Sequence, residues 1–171
     1  MNIYLIGFMG SGKSHEGKRI AALLRWKFID TDRLIEKKEA MTIAEIFSAR
    51  GEEYFRRIEA EALREVAVKN RTVIACGGGT PCNDENLALM KSTGVTVWLK
   101  LSPETLASRL MQSRTDRPLL HDAGPDELRS RIVQMLDTRS HWYEQADLII
   151  DAEAVDEEGM AALIAETIRT G

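Results

Sequence analysis

Five short, mostly apolar blocks punctuate the chain: Ile3-Tyr4-Leu5-Ile6, Trp26-Lys27-Phe28-Ile29, Thr72-Val73-Ile74-Ala75, Val95-Thr96-Val97-Trp98-Leu99 and Leu148-Ile149-Ile150. Their length and β-branched content predict strands, and Thr72–Ala75, apolar on both faces, has the pattern of a central parallel strand. Between the blocks apolar residues return at helical spacing. Ile20, Ala21, Leu23 and Leu24 stripe a helix from Lys13 to about Arg25, and Leu87, Leu89 and Met90 stripe one that Asn83 caps. Ser102 followed by Pro103 starts a helix running to about Gln112. Pro125 starts another with Leu128, Ile132, Met135 and Leu136 on one face, and residues 156–169 close the chain as a helix. Strands alternating with helices predict an α/β domain, a five-stranded parallel sheet flanked by helices, whose ligands bind outside the carboxyl ends of the strands.

Two stretches do not fit a simple strand-helix-strand repeat. The second and third blocks are separated by a helix start at Asp32–Glu39, a capping box at Thr42-Ile43-Ala44-Glu45, a stop at Gly51, and a charged helix over 52–69 with Phe55, Ile58, Ala62 and Val66 buried. An ordinary crossover is shorter, so residues 31–60 are expected to form a helical substrate-binding insertion. Residues 113–124 are polar, basic and without periodicity, as expected of a lid over a site. With neither repeats nor a linker, residues 1–171 read as a single domain carrying both additions.

Composition narrows the function classes. At 171 residues and 44% hydrophobic content the chain can bury about 70% of its unfolded surface, so it needs neither disulfides nor a structural metal. A formal charge of −4 with scattered Lys and Arg argues against nucleic-acid or membrane-surface partners and favours basic residues acting singly on small anions. The separation of Cys76 and Cys82 suits neither a zinc pair nor a disulfide framework. The absence of a signal peptide or a membrane-length apolar run leads us to expect the reducing cytoplasm, and with no apolar patch evident a monomer is the simpler expectation.

The chemistry starts after the first block. Gly7-Phe8-Met9-Gly10-Ser11-Gly12-Lys13-Ser14 fits the phosphate-binding pattern G-x-x-x-x-G-K-[ST], with a strand before it and a helix after. Backbone N–H groups and the helix N-terminus would face phosphate oxygens, Lys13 would add a point charge, and the Ser14 hydroxyl would ligate Mg²⁺. Asp30 and Asp32, two apart at the end of an extended segment, share a face, so one can order water on Mg²⁺ while the other accepts a hydrogen bond from an acceptor hydroxyl. Asp32 could instead merely cap the next helix. Gly77-Gly78-Gly79 directly after a buried strand implies close approach of a ligand to the backbone. Arg56 and Arg139 offer forks to carboxylate or phosphate, while Arg114 and Arg117 lie where a closing loop would meet a nucleotide.

Together these residues resemble the shikimate kinase family. The resemblance runs through Gly7 to Ser14, Phe28-Ile29-Asp30-Thr31-Asp32, Gly51-Glu52 leading to Phe55-Arg56 with Glu59, the glycine triplet, Arg117-Pro118-Leu119-Leu120, and Arg139 before Tyr143. It implies a P-loop NTPase fold of the nucleoside-monophosphate-kinase-like kind, and Mg²⁺-dependent phosphorylation of the 3-hydroxyl of shikimate by ATP on the route to aromatic amino acids. Carried over, Gly10, Ser11, Gly12, Lys13, Ser14 and His15 hold ATP phosphates, with Ser14 and Asp30 serving the metal. Asp32 binds shikimate hydroxyls and is the candidate base. Arg56, Gly78 and Arg139 hold the acid, with Gly77 and Gly79 beside them, and Arg117, with Arg114 near it, covers ATP. The sequence departs from the family at His15, where a second hydroxyl residue is usual, and at Cys76, where Thr or Ser is usual. The alternatives are a gluconate kinase, which the glycine triplet and Arg117-Pro118-Leu119-Leu120 disfavour, and a nucleotide-binding switch, which has no need of an acceptor pocket.

Overall fold

A computed structural model describes residues 1–113 and 124–170, without the side chain of residue 170. Five parallel strands, β1 (Asn2–Ile6), β2 (Lys27–Asp30), β3 (Thr72–Ala75), β4 (Gly94–Lys100) and β5 (Leu148–Asp151), lie in the order β2-β3-β1-β4-β5. The helices are α1 (Lys13–Leu24), α2 (Thr31–Glu39), α3 (Ile43–Ala67), α4 (Asp84–Thr93), α5 (Pro103–Gln112), α6 (Pro125–Tyr143) and α7 (Glu157–Thr170). The parallel sheet expected from the sequence is therefore present. Its strands are apolar on both faces because both faces are covered. Ile3 and Leu5 of β1 point to α1 and α7, packing with Ile20, Met160 and Ile164. Tyr4 and Ile6, alternating with them, point to α3, α4 and α6, packing with Leu63, Val66, Met90 and Tyr143.

Element boundaries move where a side chain or a neighbour decides them. Strand β4 starts at Gly94, one residue earlier than the apolar block, because Gly94 pairs with Asn2 so closely that a Cβ would sit 2.3 Å from the Asn2 carbonyl oxygen. Helix α2 starts at Thr31, since Asp30 is its N-cap and accepts from the Arg33 N–H at 3.2 Å. Asp32, in the first turn, is thereby relieved of capping.

The capping box at Thr42 and Glu45 forms as the sequence predicts. The expected stop at Gly51 is instead a kink within α3, where φ is 81° and ψ is 172°. That conformation is open essentially to glycine alone. A Cβ there would meet nothing within 4 Å, so the demand is conformational and not steric. Gly51→Ala should therefore destabilise the fold by about 1–3 kcal/mol, read as a lowered urea midpoint with unchanged slope. The segment around the kink carries its own small core of Ile35, Ile46, Phe55, Ile58 and Ala62. Burying each large side chain there is worth about 1.5–3 kcal/mol. This local core holds α2 and the first half of α3 beside the carboxyl ends of β2 and β3. Of the 113–124 segment only Ser113 and Gly124 are described, so Arg114 and Arg117 lie outside the described residues. Among the described residues no helix is long and apolar enough to cross a membrane.

Candidate active site

Strand β1 is central in the sheet, and the chain leaves it into the glycine-rich loop between β3 and β4. Gly12 is the N-cap of α1 with φ of 94°, a left-handed conformation that opens the helix end without any side-chain cap. Lys13 is only 8% exposed, and its Nζ donates to the carbonyls of Gly7 (2.8 Å) and Phe8 (2.7 Å) and to Ser11 Oγ (3.4 Å). Its charge is thus folded back over the cradle that a phosphate would occupy. Ser14 Oγ donates to Asp30 Oδ2 at 2.5 Å, which joins the start of α1 to the end of β2. A cavity of about 330 Å³ opens over this loop, lined by Gly10, Gly12, Lys13, Ser14, His15, Asp30, Arg109 and Ser113.

A second cavity, of about 60 Å³, lies beside it between the insertion and α6. Ile43, Phe47 and Phe55 give it an apolar wall, Gly77, Gly78 and Gly79 a backbone wall, and Arg56, Glu59 and Arg139 its charges. Each glycine of the triplet is closely approached. A Cβ at Gly77 would lie 2.8 Å from Glu59 Oε1 and 2.9 Å from Asp32 Oδ1; one at Gly78 would lie 3.3 Å from the Met9 nitrogen; one at Gly79 would lie 2.5 Å from Arg56 Nη1. Arg56 Nη1 donates to Glu59 Oε2 at 2.8 Å, and the Arg56 guanidinium pKa is raised overall, burial working against its charge while Glu59 and Glu52 more than offset it. Arg139 Nη1 is buried and has no hydrogen-bond partner among the described residues, and the guanidinium stands 5.9 Å from the Phe8 ring centroid. A buried guanidinium donor left without a partner is costly, and an anionic ligand in the cavity would satisfy it.

Asp32, Met9, Gly77 and Gly78 line both cavities, so the carboxylate stands on the wall between the phosphate cradle and the arginine-walled pocket. The sequence model of the shikimate kinase family matches residues 9–169. The shikimate kinase of Thermodesulfovibrio yellowstonii is 45% identical over 163 residues, covering 95% of this chain and 92% of that protein. The chain belongs to the shikimate kinase family. Among solved structures, the Bacteroides thetaiotaomicron shikimate kinase is 37% identical with a TM-score of 0.88, covering 99% of this chain and 97% of that one. The Acinetobacter baumannii shikimate kinase in complex with shikimate is 32% identical with a TM-score of 0.90, covering 99% and 93%.

The described site residues picked out in the sequence therefore gather around two adjoining cavities, Gly10, Gly12, Lys13, Ser14 and Asp30 lining the first and Arg56, Gly77, Gly78, Gly79 and Arg139 the second, while Ser11 is buried in the loop and accepts from Lys13. His15 is placed less simply. Its N–H donates to Gly12 O at 3.0 Å, and its ring, 67% exposed, stands 3.5 Å from Glu157 Oε1 of α7. Cys76 is buried with its thiol pKa pushed up by desolvation, as its apolar strand suggests. The Cys82 thiol is pushed up to about 11, again by burial.

Four residues to which sequence reasoning gave no role support the family's site here. Glu59, 1% exposed, accepts from Arg56 and from Thr80 Oγ1 (2.6 Å), locking the guanidinium against the glycine wall. The signal for it was a carboxylate on the buried stripe of α3, four residues after Phe55. Tyr143, four residues after Arg139 on α6, donates its hydroxyl to Gly78 O at 2.6 Å and is fully buried, which raises its pKa. Thr31 accepts from the Gly77 N–H and donates to Ala75 O, both at 3.2 Å, tying β2 to the triplet. Arg109 reaches the phosphate cavity from the last turn of α5. In this frame Gly79→Ala would displace the Arg56 fork. We expect the KM for shikimate to rise about 10- to 100-fold with the KM for ATP unchanged, measured by steady-state kinetics in each substrate.

Proposed function

We propose that this chain transfers the γ-phosphate of ATP to the 3-hydroxyl of shikimate, giving shikimate 3-phosphate and ADP on the route to chorismate and the aromatic amino acids. The observation that carries the assignment of roles is the position of Asp32 on the wall common to both cavities. ATP phosphates would lie on Gly10, Ser11, Gly12, Lys13, Ser14 and His15, with Lys13 exchanging the Gly7 and Phe8 carbonyls for phosphate oxygens. Shikimate would place its carboxylate between Arg56 and Arg139 and its ring against Phe47 and Phe55. Its hydroxyls would then point at Asp32. As the new O–P bond forms and the bond to ADP breaks, Asp32 accepts the proton of the attacking hydroxyl. Little covalent help is needed beyond this, because phosphoryl transfer is governed by alignment and charge neutralisation. Arg114 and Arg117, in the segment after α5, would complete the nucleotide side as the lid, with residues 31–60 forming the acceptor insertion.

The Ser14 hydroxyl and the Asp30 carboxylate, hard oxygen donors 2.5 Å apart beside Lys13, fit Mg²⁺, which takes oxygen ligands and keeps several waters. Bound with ATP, the ion would neutralise charge developing on the phosphates. Action as a monomer in the cytoplasm completes the reading, and size-exclusion chromatography with light scattering checks the oligomeric state. The function is tested by ADP release with ATP and Mg²⁺ on shikimate and on gluconate. Turnover with shikimate alone supports the assignment; ADP release indifferent to shikimate defeats it.

A further inference from the structure

Arg56 already holds two carboxylates. Its Nη1 donates to Glu59 at 2.8 Å and its Nη2 to Glu52 at 3.1 Å. A third, from the acid in the pocket, would put three carboxylates on the two guanidiniums of Arg56 and Arg139 and compete for Arg56 donors already in use, so one of its two internal partners is expected to give way. The two are not equivalent. The Glu59 side chain is 2% exposed and is also fixed by Thr80, so releasing it would strand a buried charge. Glu52, 55% exposed, sits one residue after the Gly51 kink and can turn to water at little cost. Arg139 has no such competitor among the described residues.

Resting on the shikimate kinase reading above, we propose that Glu52 is an internal competitor for the substrate carboxylate. It holds Arg56 Nη2 while the acceptor pocket is empty and surrenders it when the acid binds, so it weakens acid binding without touching the acid. Glu59, in contrast, is a permanent partner that aims the fork.

Glu52→Gln is expected to lower the KM for shikimate about two- to fivefold, the scale of an exposed ion pair, with kcat and the KM for ATP unchanged. Calorimetric titration with shikimate should show the same tightening in Kd. Glu52→Asp, which keeps the charge but draws it back by one methylene, should fall between wild type and Glu52→Gln, and it serves if the Gln variant folds poorly. An unchanged or raised KM for shikimate in both variants overturns the proposal, the raised value marking Glu52 as a residue that orients Arg56 productively. Absence of shikimate-dependent turnover in the wild-type chain would instead defeat the proposed function, so the two failures are distinct.

Discussion

Replacing Asp32 with Asn should cut turnover by about 10²- to 10⁴-fold while leaving the affinity for ATP within about twofold of wild type. The substitution conserves shape, which matters because a Cβ at Gly77 would lie only 2.9 Å from Asp32 Oδ1, so the wall is packed against that atom. It leaves helix α2 capped, since the cap is Asp30. It also leaves the Ser14–Asp30 hydrogen bond and the Lys13 cradle in place. What it removes is a charged acceptor on the wall shared by the two cavities, the group that the proposed mechanism uses to take the proton of the attacking hydroxyl. The loss should therefore fall on kcat, with a smaller rise in the KM for shikimate as a neutral amide replaces a charged hydrogen-bond acceptor. Steady-state kinetics in both substrates, with ATP affinity from equilibrium titration, separate these terms. Equal losses in ATP affinity and in turnover would remove Asp32 from the acceptor side.

The residues legible in the sequence are those whose constraint is local. The phosphate loop, the Asp30–Asp32 pair and the Thr42–Glu45 capping box each close within a few residues, and the strands stand out because a parallel sheet covered on both faces demands unbroken apolar runs. The glycine triplet was legible as a demand for close approach. What it approaches was not, since Glu59, Arg56 and Asp32 arrive from elements 18 to 45 positions earlier in the chain. The same distance hid Tyr143, whose hydroxyl meets Gly78 across 65 residues, and Thr80, which meets Glu59 across 21. Gly51 shows the converse limit. Its local signal marked a break correctly, yet the helix resumes in a new direction because Ile46 before the kink and Phe55 and Ile58 after it pack into one small core.

Arg139→Ala should raise the KM for shikimate about 30- to 150-fold, the equivalent of losing a charge-assisted contact of about 2–3 kcal/mol. The KM for ATP should be unchanged. Arg139 differs from Arg56 in having a buried nitrogen with no hydrogen-bond partner among the described residues, whereas Arg56 is neutralised by Glu52 and Glu59. The net positive charge offered to an incoming carboxylate is therefore concentrated on Arg139. The same feature fixes the expected effect on stability. The Nη1 donor, buried without a partner, contributes desolvation cost and no bond, so removing the side chain should change the thermal midpoint little, that gain being offset by the lost contacts with Phe8 and Tyr143. A fall in affinity for the acid without a fall in stability is the signature of a residue kept for its ligand. Arg139→Lys should recover only part of the loss, because an ammonium supplies charge but not the planar fork. Shikimate kinetics and thermal unfolding on the same preparations give both numbers, and an unchanged KM in the Ala variant would place the carboxylate elsewhere.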